Sequence, residues 1–343
     1  MSLDETKKRK IEKIYKLILK GEVNEALNLT KTEDIGFMLW LGNQMMSKKS
    51  HLLAEKIFSR ITQLDHTNFL GWSGKGNALS SLEEYTEAIE CYNKALEINP
   101  NNAGVWRNKG ITLSNLKRYT EAIECYDRAI ITKLNNAGAW YNKGIALSNL
   151  KRYTEAIKCY NKTIIIDTSN AGAWHSKGNA LSSLKRYTEA IECYDRALEI
   201  NPSNDQAWWG KGAAFENLKK YTEAIECYNK ALEIDTNIAG VWFGKGNALS
   251  SLKRYTEAIE CYNKALEINP NNAGVWRNKG ITLSNLKRYT EAIECYNKAL
   301  EIDTSNAGAW HSKGNALSSL KRYTEAIECY DRALEINPSN DQA

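Results

Sequence analysis

Eight cysteines recur along the chain, always as the "CY" at Cys91, Cys125, Cys159, Cys193, Cys227, Cys261, Cys295 and Cys329. Thiols in that number could hold a metal or form disulfides, but their spacing opposes both. There is no C-x2-C pair, and a zinc site needs ligands clustered in space. Equivalent positions of stacked helices lie ~10 Å apart, whereas a disulfide wants Cα atoms within about 7 Å. They read as small buried hydrophobes in a reducing compartment. His51, His66, His175 and His311 have no HExxH, phosphate-loop, nucleophile-elbow or dinucleotide motif beside them. The G-K-G of "WSGKGN" and "WFGKGN" lies inside a helical segment, where no phosphate loop can form. Carboxylate pairs such as Glu87 and Glu90 recur and suit a solvated helix face. An active site copied eight times is not expected, so neither catalysis, nor a cofactor, nor a metal is expected.

Cations invite a second kind of chemistry. Lys75, Lys109, Lys143, Lys177, Lys211, Lys245, Lys279 and Lys313 form a fixed column. A phosphate-binding ladder is one reading. The other has each stem packed along an inter-helix seam, with the ammonium reaching water or a glutamate, and this is the one adopted. "KKRK" at 7–10 could be a localisation or polyanion patch, and reads here as the charged, solvated face of a first helix. Over 343 residues, 46 basic and 41 acidic side chains leave a net charge of +5. That is too mild to argue for nucleic acid or an anionic membrane. No stretch approaches the ~18–20 apolar residues of a membrane span, and MSLDETKKRK leads into no apolar signal segment. The expectation is a soluble, cytoplasmic protein without a membrane partner.

The elements that must position these residues follow from one number. Tryptophans at 72, 106, 140, 174, 208, 242, 276 and 310 stand 34 residues apart without a slip. A period of this size means a stacked solenoid. Trp72, Gly76, Leu79 and Leu82 recur at helical steps, and Tyr85, Ala88, Ile89, Tyr92, Ala95 and Leu96 do so on a second helix. Pro100 ends that helix, and the asparagines after it suit a turn and the next helix cap. Gly76 and Ala88 are small where helix backbones approach.

Trp72, Gly76, Ala88, Tyr92, Ala95 and Pro100 together resemble the tetratricopeptide repeat pattern in type and spacing. Lys75 stands where leucine is usual, and Leu79 where tyrosine is. Leu134, Thr168, Thr236 and Thr304 replace the proline, so those four turns are expected to be looser. The resemblance implies an all-α, right-handed superhelical solenoid of antiparallel hairpins whose first helices line a concave groove.

Eight full repeats are expected at 69–102, 103–136, 137–170, 171–204, 205–238, 239–272, 273–306 and 307–340. A degenerate repeat at 35–68 keeps Leu41, Gly42, Ala54 and Phe58 and replaces the tryptophan with Met38. Residues 1–34 read as a shortened hairpin that caps the stack. "NDQA" at the end matches 204–207, which run straight into Trp208, so 341–343 read as the start of a truncated further repeat. End-to-end self-association through an uncapped last hairpin is then a possible property.

Residues 171–207 and 307–343 are identical, which makes concentrated variation informative. The residue after each tryptophan reads Ser73, Arg107, Tyr141, His175, Trp209, Phe243, Arg277 and His311. Four consecutive ring-bearing steps lie between two arginines, and aromatics and arginine are enriched at binding hot spots. Four rungs at ~10 Å span roughly 30 Å, or about nine extended residues. Asn108, Asn142, Asn149, Asn179, Asn217 and Asn247 could bond a peptide backbone, similar to asparagine ladders in the family's glycosyltransferase-linked arrays. The expected function is a non-catalytic scaffold holding an extended protein or peptide, apolar in its middle and acidic near the arginines. Neutral drift on an exposed face is the competing explanation of the ladder. A self-associating rod and single-stranded RNA binding are the alternative functions, and with only two arginines in the ladder nucleic acid is not the expected partner.

Overall fold

The computed structural model describes residues 5–338. The side chains of residues 5–8 and 19 also lie outside the description, as does the expected start of a further repeat at 341–343. All the described elements are helices, and the chain divides into two compact units between Thr168 and Ser169.

The first unit opens with α1 (Glu5–Leu19), the short α2 (Val23–Asn28) and a 3-10 turn at Thr32–Asp34. It continues as hairpins α3/α4 (Ile35–Ser47, His51–Leu64), α5/α6 (Phe69–Ser81, Tyr85–Ile98), α7/α8 (Ala103–Asn115, Tyr119–Thr132) and α9/α10 (Ala137–Asn149, Tyr153–Ile166). Lys10, expected on a solvated face, instead donates to the buried Asp34 carboxylate at 2.7 Å and ties α1 to the 3-10 turn.

The second unit holds α11/α12 (Ala171–Ser183, Tyr187–Ile200), α13/α14 (Asp205–Asn217, Tyr221–Ile234) and α15/α16 (Ala239–Ser251, Tyr255–Ile268). Two further hairpins follow, α17/α18 (Ala273–Asn285, Tyr289–Ile302) and α19/α20 (Ala307–Ser319, Tyr323–Ile336). Among the described residues no helix is long and apolar enough to cross a membrane.

Each hairpin from α5/α6 onward is built by the same local chemistry, whereas α3 starts after Asp34 without a side-chain cap. The first helix is capped by an asparagine whose Oδ1 accepts from the backbone N–H three residues on, at 2.9–3.1 Å for Asn68, Asn102, Asn136, Asn170, Asn204, Asn272 and Asn306. Ile238 takes that place before α15 and supplies no side-chain cap. At the other end, Lys253 N–H donates to the Ser250 carbonyl and Arg254 N–H to the Leu249 carbonyl, both at 2.9 Å. This is the Schellman closure, which needs a left-handed residue and usually recruits glycine. Here the position is held by lysine eight times and by Glu83 once, with φ of 58–65°. The preceding lysine-bearing turn then feeds an arginine into the second helix, where Arg118, Arg152, Arg186, Arg254, Arg288 and Arg322 each grip the glutamate three residues on. These pairs are about half exposed, so each contributes only ~0.2–1 kcal/mol.

The core of a hairpin is the tyrosine of its second helix. Tyr92, Tyr126, Tyr194, Tyr228, Tyr262 and Tyr296 are buried, and each ring lies flat on a glycine of its own first helix. A Cβ at Gly76, Gly178 or Gly212 would come within 2.7 Å of that ring. Gly42 makes the same contact with Phe58 in the hairpin that lacks the tryptophan. Glycine is thus required by the close approach, despite its ~1 kcal/mol cost in a helix. The tryptophan does different work, its Nε1 donating to the carbonyl six residues back at 2.7–3.3 Å. Pro100, Pro202 and Pro270 accept this bond, and so do Leu134, Thr236 and Thr304. Those three proline-free turns are therefore tied down as the others are, contrary to the looseness expected of them.

Candidate ligand groove

The residue after each tryptophan projects from the first helix, and its neighbours decide what it can do. Two postures occur. In the first unit, Tyr141 tilts against Tyr160 with ring centroids 6.1 Å apart, while Arg107 leans over Gly138 of the following hairpin. In the second unit, His175, Phe243 and His311 tilt against Tyr194, Tyr262 and Tyr330 at 5.8–6.2 Å. Trp209 instead reaches the next hairpin, where a Cβ on Gly240 would meet its ring at 3.1 Å, and Arg277 lies likewise over Gly308. The rungs therefore do not present equally: Trp209 is 37% exposed and the other rings are half-buried.

His175, Asn179, Trp209 and Asn217 come together around a cavity of about 480 Å³ on the second unit, with Tyr194 at its wall and Ala213 on α13. Small residues open it. Ala213 stands where every other repeat carries Asn or Ile, and Gly210, a position that is Gly, Asn or Ser elsewhere, adds no side chain. The cavity mixes ring faces with a few polar groups, as small ligand sites do. Burial holds the His175 imidazole below its ordinary pKa, with Asp205 opposing, so the ring is neutral near neutral pH. Asn179 Nδ2 lies 3.3 Å from His175 Nε2.

The amides expected to face a ligand are mostly engaged within the protein. Asn179 Oδ1 accepts from Tyr194 OH at 2.7 Å. Asn247 Oδ1 accepts from Tyr262 OH and from Asn278, and Asn108 donates to Asn77. Asn149 and Asn217 donate to carbonyls one turn back, Ile145 and Ala213. Asn142 is half-buried beside Tyr141 on α9. Asn108 and Asn247 thereby tie neighbouring first helices together, while Asn179 and Asn247 satisfy buried phenols, which need partners.

Two charged features complete the site. Arg277 is half-buried, with no ion pair among the described residues and with its Nε buried and unpartnered. Glu216 escaped the reading of the ladder, although it is visible in the sequence as a departure. Its seven equivalents, Ser80, Ser114, Ser148, Ser182, Ser250, Ser284 and Ser318, are all serine. Its carboxylate accepts from Tyr228 OH at 2.7 Å. Burial raises the Glu216 pKa, and the bonds from Tyr228 and Asn247 only partly offset this. Tyr228 is driven up in turn by its own burial and by Glu216.

The lysine column packs along the seam but ends on an aromatic face. Each Nζ lies 5.1–6.0 Å from the ring centroid of the tryptophan three residues earlier, a cation–π geometry. Lys143 and Lys211 also pair with Asp127 and Asp195 of the preceding hairpin. All eight thiols are buried, and burial pushes most of them up to about 11. Such thiols are inert near neutral pH.

No curated protein sequence matches the chain. Among solved structures it is similar to a tetratricopeptide repeat protein from Parabacteroides merdae, at 17% identity and a TM-score of 0.56, over 73% of this chain and 98% of that one. It also matches YrrB, described as a repeat protein with an unusual peptide-binding site, at 25% identity and a TM-score of 0.47, over 54% of this chain and 96% of that one. MamA from Desulfovibrio magneticus matches at 22% identity and a TM-score of 0.47, over 50% of this chain and 96% of that one. The family model for the tetratricopeptide repeat matches residues 69–102, 137–170, 171–204, 206–237, 239–272, 273–306 and 307–340, and a second model of that repeat matches 91–124. With its helical hairpins and 34-residue period, the chain belongs to the tetratricopeptide repeat family.

Proposed function

We propose that the second unit holds an extended peptide segment along its first helices, anchored by one bulky apolar side chain in the cavity between His175 and Trp209. The family builds protein-interaction scaffolds, and the cavity gives this member a specific place to bind. The observation that carries the reading is Trp209, a large ring left 37% exposed beside an open, ring-lined recess. Exposed aromatics of this kind mark contact sites. The partnerless guanidinium of Arg277 suits a ligand carboxylate. It lies two hairpins beyond Trp209, roughly 20 Å at ~10 Å per step, or about six extended residues. Asn217 and Asn247 flank the path, and Phe243 lies on it. In the first unit, Arg107 and Tyr141 offer a similar pair of contacts.

The test is a peptide selected on the whole chain from a random library, with its affinity measured by fluorescence anisotropy. Trp209→Ala should weaken it by about 30-fold, the ~2 kcal/mol of a hot spot. Lys253→Ala should leave it unchanged, and equal losses from both would refute the groove. A second reading, end-to-end self-association, draws on Tyr323 and Ile327 of α20, both exposed, and predicts concentration-dependent sedimentation. We assign the first two helices to an N-terminal cap, on the tie between Lys10 and Asp34, and 35–68 to a degenerate repeat.

A further inference from the structure

The copied sequence singles out a second surface, on the second helices of the first unit. Residues 103–126 are identical to 273–296, yet the next eight read DRAIITKL against NKALEIDT. Among these changes Ile131 replaces a glutamate, and Ile165 does so again one repeat later. The other six equivalents, Glu97, Glu199, Glu233, Glu267, Glu301 and Glu335, each pair with the lysine or arginine three residues before. Isoleucine removes that partner from Arg128 and Lys162, which are exposed and join no ion pair among the described residues. Leu134 stands where Pro100 stands one repeat earlier. Lys158 replaces a glutamate found in the seven other repeats.

The three apolar side chains face water. Ile131 is 74% exposed, and Leu134 and Ile165 are 72% exposed, more than any other large apolar residue among the described ones. Two consecutive hairpins have thus traded surface ion pairs for exposed aliphatics and left Arg128 and Lys162 without the glutamate that their equivalents hold. Drift would scatter such changes over the stack, whereas these fall at equivalent positions of neighbouring repeats. In the second unit Glu199 lines a furrow of about 460 Å³ with Trp174, Lys177 and Arg196, and Ile131 and Ile165 are the sequence equivalents of that glutamate. Equivalent positions of neighbouring hairpins ~10 Å apart match the ~10 Å width of one helix.

We propose that this face docks an amphipathic helix of a partner protein that presents aliphatic side chains flanked by carboxylates. The charge argues for acid on the partner, because Arg128, Lys158 and Lys162 need counter-ions once the site is covered. The aliphatics argue for a packed helix ridge, which nucleic acid does not offer. This surface lies on the second helices and is independent of the peptide groove.

The experiment uses a synthetic helical peptide with leucines at i, i+4 and i+7 bordered by glutamates, and a lysine-bordered version of it. Binding to the whole chain is read by anisotropy. The glutamate peptide should bind at least 10-fold more tightly than the lysine peptide. The double change Ile131→Glu with Ile165→Glu, which restores the pairing seen in the other repeats and leaves helicity unchanged, should weaken it at least 10-fold. Trp209→Ala should leave it unaltered. Equal binding by the original and doubly changed chains overturns the proposal. So does capture by anionic phosphatidylserine vesicles with no peptide binding, or self-association that the double change abolishes with no peptide binding.

Discussion

Replacing lysine by glycine at the left-handed turn positions should stabilise the stack, although it removes side chain and charge. Lys185, Lys219, Lys253 and Lys287 sit at φ of 60–62°, are exposed, and join no ion pair among the described residues. A side chain with a Cβ in this region costs about 1–2 kcal/mol. Glycine returns ~0.4–1 kcal/mol of that through the greater freedom of its unfolded chain. The net gain is about 0.5–1 kcal/mol per site by these two magnitudes. The positions are one repeat apart and share no partner, so the fourfold variant should gain ~2–4 kcal/mol by addition. At an m value of about 3 kcal/mol/M, the urea midpoint of the whole chain should rise by about 1 M. The matching fourfold alanine variant removes the same charges but keeps each Cβ, so it should show no such rise. Equal gains from alanine and glycine would assign the effect to charge and refute the strain argument, as would a fall in the glycine variant.

Gly212→Ala should destabilise, because its Cβ would meet the Tyr228 ring at 2.7 Å. Overpacking of ~1–3 kcal/mol then outweighs the ~1 kcal/mol gained in helix propensity; a higher melting temperature would contradict this. Glu216→Ser should raise stability at neutral pH by restoring the hydroxyl–phenol contact that Ser182 and Tyr194 make at 3.3 Å. Since the folded pKa of Glu216 lies above its ordinary 4.5, its share of stability is full below 4.5 and is lost as pH rises through the raised value. The advantage of the serine variant should therefore shrink on going from about pH 8 to about pH 4, and parallel stability curves across that range would sink the assignment. The groups facing Glu216 are Tyr228, Asn247 and, more distantly, Tyr262, none of which is charged in that window.

How much was legible beforehand depends on the range of the interaction. The 34-residue period, the two helices per period, the asparagine caps and the glycine at the close approach are local patterns, and each can be read along the chain. The residues around the cavity, His175, Asn179, Trp209 and Asn217, could be placed on one helix face by spacing alone. Glu216 was readable too, as the one acid in a column of serines, but a search among the residues beside the tryptophans passes over it.

Sequence alone determined the stacked hairpins and the family, because burial of a periodic apolar face leaves few other folds for it. Tertiary packing decided which groups remain free to act. It turned His175, Phe243 and His311 onto the tyrosines of their own second helices while sending Trp209 and Arg277 over the next hairpin's glycines. It spent most of the asparagine amides on bonds within the protein and the lysine column on tryptophan faces. It also left Ile131, Leu134 and Ile165 in water. None of these outcomes follows from spacing, because each depends on the side chains that a neighbouring hairpin brings within a few ångströms.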